Sequence, residues 1–321
     1  MAGAGGPVRM KQRPISGGSL SAVELPVGAV RAVPLARPAS PLTEALRRLR
    51  RSATALVGLG IVAALIGVAT FADVLAPRSP TASDQAHTFA RPSWDYPLGT
   101  DQLGRDMLSR LIHGSRISLA VGVSSVLLAL FVGVPLGLVA GYSGGRVDTT
   151  VMRLMDLILA FPIYLLAIIL MVIFTPTAGL IGTMKVTGAI AIVRIPIYAR
   201  LVRGSVLSIK EKEYIEACRA LGVRTPSILL GHILPNCLAP IIVTTTLGIA
   251  TSIIVEATLS FLGLGTQPPT PSWGWDLKAN VAFIQTYPWL SLFPGLAIFV
   301  TVLGFNLFGD GLRDALDPRL K

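Results

Sequence analysis

Side chains suited to specific recognition gather between Glu213 and Pro235, a charged stretch set between two long apolar runs. At helical spacing Tyr214, Ala217, Cys218 and Leu221 fall on one apolar stripe, while Lys212, Glu216 and Arg219 fall on a charged face. Gly222 can take the positive φ that ends a helix. Thr225-Pro226 then offers an N-cap and a first-turn proline for a second short helix, expected to stop before Pro235. The expected product is a helix-turn-helix projecting from a bundle, with an apolar face ready for another protein. Its chemistry would be docking and force transfer, with no bond made or broken. The other singular residue is Arg194, the lone charge well inside an apolar span. Intramembrane charge faces a bundle interior or an aqueous cavity, so Arg194 is a candidate to line a transport path and meet a substrate carboxylate. The structural alternative is snorkelling, or pairing with backbone carbonyls near a helix end.

Catalytic chemistry finds little support. The two cysteines, Cys218 and Cys237, have no metal-ligand spacing, and His87, His113 and His232 are scattered. No Gly-x-x-x-x-Gly-Lys-Ser/Thr phosphate loop is present, so ATP hydrolysis by that route is not expected, and neither is a cofactor in this chain. Asp101 and Asp106 lack the partners that acid–base work needs.

The elements that must position these residues are membrane helices. Of 321 residues 52% are hydrophobic and only 14% charged, against about 25% charged in soluble domains, and the mean hydropathy is +0.67. The net charge of +11 would suit nucleic acid, but nine of the 28 basic residues precede Ser52 and six more lie between Arg200 and Arg224. That is the positive-inside pattern, without the aromatic interleaving of a single-strand binder. Spans of about 20 apolar residues are expected at 52–72, 117–145, 157–184, 238–255 and 289–309, with a weaker sixth at 186–202 interrupted by Arg194 and Pro196. Six spans place both termini and the 200–235 loop in the cytoplasm. Residues 1–45 read as a disordered cytoplasmic tail. Residues 46–114 read as a first span and an external segment, and 115–321 as a five-span core. Within the external segment, Thr100 or Asp101 is expected to cap a short interfacial helix with Met107, Leu108, Leu111 and Ile112 on its apolar face. Arg146/Asp148 and Arg153/Asp156 are expected to pair around a short cytoplasmic turn.

The 213–235 stretch resembles the EAA loop of ABC-transporter permeases: Glu216, Ala217, Gly222, Leu234 and Pro235 match its spacing. Cys218 replaces the second alanine of that motif, and His232 stands where it has isoleucine. Four further segments, at 97–114, 140–156, 259–274 and 304–318, resemble the C-type permease subunit of dipeptide and oligopeptide importers. The resemblance implies an all-α membrane protein of the type I ABC importer permease fold. In that fold Tyr214, Glu216, Ala217, Cys218, Arg219, Leu221, Gly222, Leu234 and Pro235 would form the element coupled to the ATPase. It further implies a homologous B-type permease subunit, one or two ABC ATPase chains that bind the ATP and Mg, and an extracytoplasmic peptide-binding protein. Rival readings are a nickel or other small-solute permease of the same family, and a secondary transporter working alone.

Overall fold

A backbone in hydrocarbon must satisfy its own polar groups, and each long apolar run folds accordingly as a helix. The computed structural model describes residues 47–316; the tail expected over 1–45 lies outside the described residues. Nine principal helices follow: α1 (Ala53–Thr70), α2 (Met107–Ser143), α3 (Gly145–Leu159), α4 (Ile163–Phe174), α5 (Gly179–Ile209), α6 (Glu213–Ala220), α7 (Leu234–Phe261), α8 (Trp273–Asn280) and α9 (Trp289–Leu316). Among the described residues five helices are long and apolar enough to cross a membrane, six if the bent pair α3–α4 counts as one span.

Three expectations change. The interfacial helix is not separate: Met107 begins α2, which runs unbroken to Ser143. Its N-cap is Asp106, whose carboxylate accepts the Ser109 N–H at 2.8 Å. Thr100 and Asp101 are used elsewhere, Thr100 bonding the 87–90 turn and Asp101 holding the Arg105 guanidinium at 2.6 Å. The run at 157–184 is not one helix either. The chain bends by 88° between α3 and α4, because Pro162 pushes the residue before it away from helical geometry. At 12 residues α4 is about 18 Å long, and Thr175 ends it with φ +56°. The sixth span, by contrast, is stronger than its sequence suggests. α5 continues for 31 residues through Pro196, which is buried against its neighbours.

Close helix approach organises the bundle. Gly133, Gly137 and Gly141 of α2 face successive turns of α5, so the two helices run parallel and nearly touch. A Cβ at Gly137 would lie 2.5 Å from the Ala199 carbonyl oxygen, the small-residue packing that lipid favours. Val121, Met171, Val186, Ile190, Val255 and Leu259 form a core shared by α2, α4, α5 and α7. The alternating helix directions put the turns before α1, α3 and α7 at one end of the bundle. The segments before α2, α5 and α9 lie at the other.

That second end is extensively bonded. Arg110 donates to Asp276 at 2.8 Å, both side chains being 1% exposed, and Trp273 donates its indole N–H to the Leu111 carbonyl. Burial pushes the Asp276 carboxyl up even beside that guanidinium. Arg116 bonds the last carbonyls of α1 and the Asp73 carboxylate; its hydrogen bond holds Asp73 below the usual carboxylate range. Glu256 is fully buried and accepts from Ser118, Ser260 and Ser272, which ties α7 to α2 and to the cap of α8.

Candidate functional site

The knob at the first end is built by α6 and the turn after it. Glu213 and Glu216 occupy the first turn of α6, where the positive end of the helix dipole favours acids. The helix stops with two bonds, from the Gly222 N–H to Arg219 and from the Val223 N–H to Cys218, both 3.0 Å. Gly222 has φ +72°; this is a Schellman closure, which a left-handed glycine makes without strain. No atom lies within 4 Å of a Cβ built at Gly222, so only the backbone constrains the position.

The expected apolar stripe divides into an anchor and an open face. Cys218 is half-buried against the bundle, whereas Ala217, Tyr214 (41% exposed) and Leu221 (82%) face outward. The true anchor is Ile215, wholly buried with Val202, Val206 and Ile209 of α5, with Ile233 just before α7, and with Cys237 and Ile241 of α7. The stripe drawn through Tyr214 passed over it. The available signal was its spacing from Cys218, three residues on. Arg219 lies over the Tyr142 ring at 5.1 Å, fastening α6 to the end of α2, and Lys210 bonds the Gly141 carbonyl at 3.0 Å. Lys212 and Glu216 are exposed.

The second half of the knob differs from expectation. Arg224 is the N-cap and Thr225 the first helical residue, with no side-chain cap. The helix does not stop before Pro235. It passes from Thr225–Ile228 through a π-helical turn, Leu229–Ile233, directly into α7. Pro235 has no N–H to offer the preceding turn, and the wider π turn lets the helix continue past it. Leu234 is half-buried, while Pro235 and His232 are exposed. The charge pairs also move. Asp148 binds Arg203 at 2.5 Å and Asp156 binds Arg200, both bridging α3 to α5. Residues two apart on a helix, such as Arg146 and Asp148, do not face each other.

Arg194 stands apart from the knob, fifteen residues before the end of α5 and thus about 22 Å away along the helix. It is half-buried, and its guanidinium donates to the Thr251 hydroxyl of α7. Among the described residues no carboxylate pairs with it, and its bond is not to a backbone carbonyl.

Two family models match the chain. One, described as the inner membrane component of binding-protein-dependent transport systems, covers residues 133–321. The other, described as the N-terminal TM domain of oligopeptide transport permease C, covers residues 40–92. The chain is 46% identical to the dipeptide transport system permease protein DppC of Alkalihalophilus pseudofirmus, over 88% of this chain and 91% of that protein. It is 45% identical to the di/tripeptide transport system permease protein DppC of Pseudomonas aeruginosa, over 88% and 93%. Identity to the glutathione transport system permease protein GsiD of Pectobacterium atrosepticum is also 45%, over 88% and 92%.

Proposed function

The chain belongs to the family of inner membrane components of binding-protein-dependent transport systems, and on that premise we propose that it is one permease subunit of an ATP-driven importer of dipeptides and short oligopeptides. The observation that carries the reading is the knob: a glycine-closed helix pinned by Ile215 to α5 and α7 at once, with Tyr214, Glu216 and Leu221 left outward. A partner pressing on that face would move both helices together, and rocking of packed helices is how such bundles alternate access. Peptide cargo is supported by the names of the relatives, two of them permeases for di- or tripeptides.

In this reading a second, homologous permease completes the path, one or two ABC ATPase chains hold ATP and Mg, and an extracytoplasmic binding protein delivers peptide. The knob and both termini face the cytoplasm, and Arg194 faces the path. The test is reconstitution of the assembled complex, with ATP-driven uptake of labelled di-, tri- and longer peptides. Glu216→Lys, which leaves every apolar run intact, should retain membrane insertion yet lower peptide uptake at least tenfold, with the ATPase released or hydrolysing without transport. Normal uptake by that variant, with the ATPase bound, would remove the knob from the coupling role.

A further inference from the structure

A guanidinium carries five N–H donors, and leaving them unmet in hydrocarbon is costly. Arg194 lies midway along α5, fifteen residues from each end, and meets one acceptor, the Thr251 hydroxyl. The surroundings add hydroxyls and no anion. Tyr198, one turn on, is wholly buried. Gly248 lets α7 approach α5 closely here. A Cβ there would sit 2.6 Å from the Tyr198 hydroxyl and 3.5 Å from the Arg194 guanidinium. Two helices, α5 and α7, thus bring a cation with donors to spare against the Thr251 hydroxyl at mid-span.

We propose that Arg194, with Thr251 beside it, is a binding station for the C-terminal carboxylate of the cargo peptide during passage. The inference rests on the reading of the chain as a peptide permease and adds to it the group that is recognised. A carboxylate matches the guanidinium fork with two charge-assisted bonds. Depth decides between sources of such an anion. Midway along α5, Arg194 lies about 15 Å from either edge of a hydrocarbon core about 30 Å thick, beyond the reach of lipid phosphates, whereas a translocating peptide must pass mid-span.

The assembled importer, without its binding protein, should be assayed for equilibrium binding of tritiated Ala-Ala and of its C-terminal amide. Wild type should bind the free acid at least tenfold more tightly than the amide. Arg194→Gln should bring the acid to the level of the amide, and Arg194→Lys should recover part of the difference. Thr251→Val, which leaves the charge in place, should lower acid binding severalfold. Equal binding of acid and amide by wild type, or no binding up to about 10 mM, weaker than any useful station, overturns the proposal, as does an unchanged Arg194→Gln complex. The wild-type comparison stands even if Arg194→Gln fails to assemble. ATP-driven uptake by the complete wild-type importer separates the two readings: absent uptake defeats the permease assignment, while uptake with no acid preference in binding defeats the station alone.

Discussion

Gly222 and Asp276 show how differently single residues can matter. Gly222 meets no neighbour, so Gly222→Val is expected to cost about 1–2 kcal/mol through the left-handed backbone alone. Its effect should therefore be local. The knob should lose its closure while the spans still insert, and peptide uptake in the reconstituted importer should fall at least tenfold with little change in the thermal unfolding of the subunit. Asp276 is the opposite case, because its removal strands the Arg110 guanidinium, 1% exposed, without a counter-charge. Asp276→Asn should destabilise the folded chain by about 3–5 kcal/mol, read as a lowered unfolding midpoint in detergent. Replacing both partners together, Arg110→Met with Asp276→Leu, should recover most of that loss. Gly222 was visible in the sequence as a helix end, since a terminator acts within one turn. Asp276 was not, because its partner lies 166 residues away.

At the scale of elements, the parallel contact of α2 with α5 is the joint on which both the knob and Arg194 depend. Gly137→Leu would drive a side chain into the Ala199 carbonyl, and overpacking of this kind costs about 1–3 kcal/mol. The expected outcome is a subunit that inserts but unfolds at lower temperature and is less cross-linkable between cysteines introduced at 134 and 202; unchanged cross-linking would mean the helices do not rely on this approach. The glycine spacing at 133, 137 and 141 was legible in principle, as a repeat of four on a helix. The number of spans was legible from run length, but their breaks were not. Hydropathy is blind to direction, so the 88° turn between α3 and α4 lay hidden in an uninterrupted apolar run. Pro196 and Pro235, which read as interruptions, are carried within or into helices by the packing around them.

For the whole molecule the testable statement is orientation. In the proposed orientation, which the basic-residue asymmetry predicts, the knob end faces the cytoplasm. An impermeant thiol reagent added to intact cells should therefore spare a cysteine at the exposed Ser227 and modify one at the exposed Gln285. Permeabilised cells should show both modified. The reverse pattern in intact cells would invert the assignment and move the knob away from any cytoplasmic ATPase.

Helix class, approximate span positions, the closure at Gly222 and the charge asymmetry were all determined by the sequence itself. Each depends on apolar run length, local backbone preference or simple counting, and those act over a few residues. Tertiary structure alone decided that Ile215 anchors the knob, that Asp148 and Asp156 reach across to Arg203 and Arg200, and that Arg194 meets Thr251 across 57 residues. The reason is geometric: which face of a helix meets which neighbour depends on crossing, bend and rotation, and no local period carries those.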